Sequence, residues 1–161
     1  MQNAAPDTRP IYRERLAPSL WVFLAAAVGG PMIALTFTPL NSTLALILGA
    51  LGTAAILGLL ILLSPQVRVE GRMLYAGRAR IDAQWLGEPE AFTGEDARAA
   101  RGPKLPARGW HLIRGGINGV LVVPITDPDD PAPSWTISTR TPDRLAAAIR
   151  LARENAVTPA S

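Results

Sequence analysis

Cysteine is absent from the 161 residues. That absence excludes disulfides, thiolate metal ligands and cysteine nucleophiles together. Histidine is represented once, by His111, and lysine once, by Lys104. Charge is also scarce. Asp, Glu, Lys and Arg make up 18% of the chain, against roughly 25% in an average soluble domain. The shortage is concentrated: from Leu16 through Val67 there is no charged residue and no histidine. The elements of a soluble protein need a solvated face, and such a run offers none. It is too long for one membrane span and fits two of roughly 20 residues each. The net charge of +3 and the pI of about 10.2 rest almost wholly on arginine. So small an excess reflects composition rather than a polyanionic partner.

Within the uncharged run lie two hydrophobic segments. The first, Ser19 to Phe37, covers roughly 28 Å as a helix, and the second, Thr43 to Ser64, roughly 33 Å. Both match a bilayer core. Thr38-Pro39-Leu40-Asn41-Ser42 joins them, with Pro39 and Asn41 supplying turn chemistry, so the two helices should be antiparallel neighbours. Pro31, after Gly29 and Gly30, cannot donate to the carbonyl of Ala27 and should kink the first helix; a neighbouring helix accommodates such a kink more often than a transport path uses it. Ala50, Ala54 and Gly58 recur every fourth residue. They form a small-residue stripe suited to packing on the first span or on another subunit. The first segment has the basic start of a signal peptide, but its apolar stretch is too long for a signal core.

Arg9, Arg13 and Arg15 precede the hairpin, and Arg68, Arg72, Arg78 and Arg80 follow it, while its loop carries no basic residue. The distribution of basic residues therefore predicts both termini in the cytoplasm. Tyr12 and Trp21 fall where an interfacial aromatic belt would lie on that side. The Asn41-Ser42-Thr43 sequon is a formal glycosylation acceptor, but it sits in a turn flush with the bilayer.

After the hairpin the pattern changes to short β-type runs separated by turn residues. These are 67–70, 73–77, 79–82, 88–92, 110–113, 120–126 and 135–140. Gly71-Arg72 suits a tight hairpin between the first two. Pro124 suggests an edge strand or a bulge. A short helix is expected over Glu95–Arg101 with Thr93 placed to cap it. A longer amphipathic helix follows Thr141, with Pro142 at its first position, Asp143 complementing its dipole, and Leu145, Ile149 and Ala152 on one face. The fold class is therefore a transmembrane α-hairpin plus an α+β domain. That domain is a small, mostly antiparallel barrel or sandwich closed by a C-terminal helix, with Trp85, Trp110 and Trp135 as packing anchors. The chain divides into an N-terminal cytoplasmic segment (1–18), the hairpin (19–64), the β domain (65–155) and a disordered tail (156–161).

Several motifs carry a resemblance: YRERL-x-P-x-x-W before the first span, V-x-V-x-x-x-x-L-x-x-G-R-A-R-I after the second, and ITDPDDPAPSW-x-ISTR-x-P-x-x-LAAAI near the end. Over about residues 11–151 the chain resembles an uncharacterised family of actinobacterial two-span membrane proteins, a domain of unknown function. The resemblance implies a plasma-membrane protein whose domain is similar to bacterial pleckstrin-homology-like (PH-like) modules. It implies no activity and no functional residues.

The candidate sites are few. His111 could act as a general base, but no serine or carboxylate is evidently paired with it. Asp127, Asp129 and Asp130 mimic the start of a calcium loop, yet Ala132 stands at the glycine position and Ser138 at the twelfth, so a proline-stiffened turn is the simpler reading. Arg98, Arg101, Lys104 and Arg108 form a basic stretch without the spacing of a phosphate loop. Aromatic stacking platforms beside basic residues are missing, which argues against nucleic acid. Arg68, Arg72, Arg78 and Arg80 are the candidate contacts to anionic lipid headgroups, with Arg78 and Arg80 on one strand face. The expected protein is a membrane-anchored, non-enzymatic module for a protein partner or an anionic lipid surface, with no cofactor and no metal. The alternative is an accessory subunit of a larger membrane complex, assembled through Ala50, Ala54 and Gly58.

Overall fold

A computed structural model describes residues 10–157. The chain forms two compact units, one of residues 17–64 and the other of the segments that flank it.

The first unit is a hairpin of α1 (Leu20–Phe37) and α2 (Ser42–Leu62). Asn41 caps α2: its side chain accepts from the backbone N–H of Leu44 at 3.0 Å, satisfying one of the donors a helix start leaves open. Pro31 lies inside α1. The helices meet through glycine. Gly30 and Gly49 are buried, and a Cβ on Gly49 would lie 2.8 Å from the carbonyl oxygen of Gly30 and 2.9 Å from Cβ of Ala34. A Cβ on Gly30 would collide with the hydroxyl of Thr53, which donates to the carbonyl of Gly49 at 2.8 Å. The surface facing away from this seam is mostly apolar and open: Leu20 is 82% exposed, Trp21 78% and Leu35 71%. Both helices are long and apolar enough to cross a membrane.

The second unit is an α+β domain. Its first sheet has the order β1 (Pro10–Arg15), β2 (Gln66–Glu70), β3 (Met73–Ala76), β4 (Ala79–Asp82), all antiparallel. Gly71 and Gly77, with φ near +60°, make the two tight turns, a backbone region that favours glycine. The second sheet contains β5 (Glu90–Phe92), β6 (Trp110–Leu112), β7 (Gly119–Pro124) and β8 (Ser134–Thr139) in the order β5-β7-β8-β6, with β6 parallel to β8. Helix α3 (Gly94–Ala100) packs its Ala97 and Ala100 on Val120. Helix α4 (Pro142–Val157) contributes Leu145 and Ile149 to a core shared with Val67, Val69 and Leu74 of the first sheet and Leu121, Val123 and Ile137 of the second. Each such side chain contributes on the order of 1.5–3 kcal/mol by leaving water.

Every β-type run expected from the sequence is a strand, and the eighth, β1, comes from the segment read as juxtamembrane. Other expectations need correction. Pro124 does not mark an edge strand: β7 lies between β5 and β8, and proline is tolerated because it is the last residue of the strand, past the end of its pairing with β5. Trp110 and Trp135 do anchor the core edge, their rings 4.5 Å apart, but Trp85 is 39% exposed. Thr93 stands at the start of α3 without a side-chain capping bond. Tyr12, partly buried, packs against the domain core. Helix α4 continues through Ala156 and Val157; residues 158–161, and Arg9, lie outside the described residues.

Candidate functional site

The first sheet sorts its charges. Val67, Val69, Leu74 and Ile81 point into the core, so by strand alternation their neighbours occupy the outer face. The register places Arg13 opposite Arg68, Arg68 opposite Tyr75, and Tyr75 opposite Arg80. Three guanidiniums thus stand in one row across all four strands. Toward one end of the sheet lie Arg15, paired with Gln66, and Arg78, in the turn where Gly77 donates to the carbonyl of Gln66 at 2.8 Å. Toward the other end lie Glu70 and Asp82, both opposite Met73. Arg72 belongs to that end, with a guanidinium nitrogen 2.8 Å from the Asp82 carboxylate.

Like charges directly opposite on a sheet are destabilising, so the Arg13–Arg68 pairing costs stability. Partial relief comes from the Tyr75 ring, 4.3 Å beneath the Arg68 guanidinium, a cation–π contact. Arg68 also lies 3.5 Å from Glu70, and Arg13 donates to the Gln66 side chain at 3.3 Å. Arg15, Arg78 and Arg80 make no ion pair with a carboxylate among the described residues. Of the four arginines singled out in the sequence, Arg68 and Arg80 therefore stand in the central row and Arg78 on the side of Arg15, while Arg72 lies with the carboxylates. In the sequence Arg13 stands out only as an orientation signal, because the inward-facing Glu14 interrupts the apolar alternation that would mark its segment as a strand.

The other cluster that sequence reasoning missed is built around Glu14. Its carboxylate accepts from the hydroxyls of Tyr12 and Thr139, each at 2.6 Å, and from the backbone N–H of Arg140 at 3.0 Å. Since Tyr12 donates to Glu14, the Thr141 hydroxyl donates to Tyr12 at 2.9 Å. Burial, and then the hydrogen bond to Glu14, push the Tyr12 phenol above its ordinary value. An open groove of about 650 Å³ between β1 and α4 borders this network, with Ile11 and Leu151 among its lining residues. The carboxylate is saturated by donors, which suits a structural tie better than proton transfer.

The remaining candidates are accounted for locally. A ring nitrogen of His111 lies 3.0 Å from the carbonyl of Pro106. Asp127 and Asp130 accept from the backbone N–H groups of Asp129 and Ala132 at 3.0 and 2.8 Å, as in a turn stiffened by its own side chains. Among the described residues no group of three or more His, Asp or Glu could hold a metal ion. Arg98 is paired with Glu95 at 2.7 Å, and Arg101 donates to the carbonyl of Ile117 at 2.6 Å. Glu88 holds Arg150 and Arg153 of α4, and the hydrogen bond from Arg150 keeps its carboxyl below the ordinary range. On α2, Ala50 and Ala54 are exposed, and a Cβ on Gly58 would meet nothing within 4 Å. The seam with α1 runs instead through Gly49 and Thr53.

These features define a protein in which an α+β domain carries, between two of its paired strands, a hairpin of helices fit for a membrane. It belongs to a family of proteins of unknown function, DUF3093, whose model matches residues 11–149. No curated protein and no solved structure matches the chain.

Proposed function

We propose that this protein is a membrane-anchored, non-enzymatic binding module of the two-span type. Its hairpin crosses the plasma membrane with both termini in the cytoplasm, and its PH-like domain binds a protein partner or an anionic lipid surface. One observation carries the reading: α1 and α2 expose apolar side chains on every side but their common seam. In water that surface would far exceed the patch of a few hundred Å² that soluble monomers tolerate. Two sheets sharing a core with a C-terminal helix support the likeness to PH-like domains. The polar groups best suited to chemistry, Glu14 and His111, are already occupied within the fold. The native absence of cysteine makes the test direct. Of single cysteines placed at Asn41 and Asp129, only the former should react with an impermeant thiol reagent on intact cells. Equal labelling of both, or release of the chain from membranes without detergent, would overturn the reading.

A second reading has its own observation. Ala50, Ala54 and Gly58 face away from α1 and leave a smooth strip on α2, suited to a helix of another subunit. If the protein is such a subunit, Ala54→Leu should abolish co-purification of a membrane partner while leaving the hairpin intact. Undiminished co-purification would count against it.

A further inference from the structure

We infer that the arginine-bearing part of the first sheet's outer face, formed by Arg13, Arg15, Arg68, Arg78 and Arg80, is a contact site for the phosphate-bearing headgroups of anionic lipids. The inference rests on the membrane-anchored reading above and specifies the ligand of the domain. The backbone N–H of Leu16 donates to the carbonyl of Pro65 at 2.9 Å. These two residues bound the inserted hairpin, and they lie at the end of β1 and β2 where Arg15 and Gln66 pair. Arg15 and Arg78, which make no ion pair among the described residues, therefore lie where the chain leaves the domain for the hairpin and returns, with the row of Arg13, Arg68 and Arg80 next to them. The outer-face carboxylates Glu70 and Asp82 are kept to the opposite end, and Glu14 of β1 turns inward to Thr139. A random basic surface would not sort its charges by distance from that point.

Guanidinium is suited to phosphate because its planar fork donates two parallel hydrogen bonds to two oxygens. With strands about 4.8 Å apart, a row crossing β1 to β4 spans roughly 14 Å. That is wider than one phosphate and suits several headgroups side by side. The hairpin raises the effective concentration of headgroups at this end, so weak contacts suffice. Arg72 is excluded from the site because it answers Asp82.

The test uses the full-length chain in nanodiscs, with Gln66→Cys as the single thiol in a protein that has none of its own. Labelling by an uncharged, water-soluble polyethylene glycol maleimide reports access to the row. Discs containing phosphatidylglycerol should slow labelling about five-fold relative to phosphatidylcholine alone. Roughly 0.5 M salt should relieve the protection, as should Arg13→Gln/Arg68→Gln/Arg80→Gln. Arg72→Gln should leave it in place, and the salt arm stands by itself if the triple variant does not fold. A cysteine at Asp129 should label at the same rate in both discs. Equal rates at Gln66→Cys in the two lipids would overturn the inference, and so would protection that survives salt. Slowing in phosphatidylcholine discs by soluble glycerol phosphate would assign the site to a free phosphate instead. Failure of the chain to co-elute with discs is a separate outcome and counts against the anchor itself.

Discussion

The carboxylate of Glu14 accepts a hydrogen bond from the hydroxyl of Thr139, 125 positions further along the chain, at 2.6 Å. Thr139 is fully buried, and the pair fastens the first strand to the corner between β8 and α4. The segments on the two sides of the hairpin are thereby one domain, and the hairpin is an insertion between paired strands.

Glu14→Ala should lower the stability of the domain by about 2–4 kcal/mol, because it strands the hydroxyl donors of Tyr12 and Thr139 and the N–H of Arg140. Glu14→Gln, which retains an acceptor, should cost less than half of that. Urea titration in detergent micelles, followed by tryptophan fluorescence, measures both. Equal stabilities for wild type and Glu14→Ala would remove the tie.

Alkaline pH should loosen the same network. The folded-state value of the Tyr12 phenol lies above the ordinary 10.0, so the unfolded chain releases this proton first. The contribution of the neutral phenol to stability is fully present below pH 10 and is lost as the pH rises through the folded value. Tyr12→Phe should be less stable near neutrality, and its stability should fall less between pH 9 and the onset of alkaline unfolding. Parallel slopes for the two proteins would show that Tyr12 is not linked to folding.

The glycines of the hairpin should separate cleanly by position. Gly30→Val forces a side chain into Thr53 and should cost about 1–3 kcal/mol in detergent unfolding followed by circular dichroism. Gly58→Ala meets open space and should be neutral or slightly favourable, since alanine exceeds glycine in helix propensity by up to about 1 kcal/mol. A larger loss at Gly58 than at Gly30 would mean that the seam is misplaced.

Thr136 is fully buried, and its hydroxyl has no hydrogen-bond partner among the described residues. Desolvating a hydroxyl without a partner costs on the order of 1–3 kcal/mol, and valine has nearly the same shape. Thr136→Val should therefore raise the melting temperature of the domain. A decrease would indicate that a buried water satisfies the hydroxyl.

The hairpin was legible in the sequence because fitness for hydrocarbon is a local property: each residue is tolerable to lipid or not, whatever lies elsewhere in the chain. The uncharged run from Leu16 to Val67 meets that rule by composition alone. Tight turns are local too, which is why Gly71-Arg72 and the strands on either side of it were found, as was the helix after Thr141. Strand β1 was not. Its arginines look like a membrane-flanking cluster, and its inward Glu14 breaks the apolar alternation by which strands are recognised. Only its partners on β8 and α4 make a buried carboxylate tolerable, and they arrive from the far end of the chain. The grouping of the arginines was equally hidden. Arg13 and Arg68 are separated by the whole hairpin, and Arg72 differs from Arg68 only through the register that sets it beside Asp82. Composition and spacing settle which stretches are apolar enough to cross a membrane. Which charges become neighbours is decided by strand pairing, because pairing converts distant positions into adjacent ones.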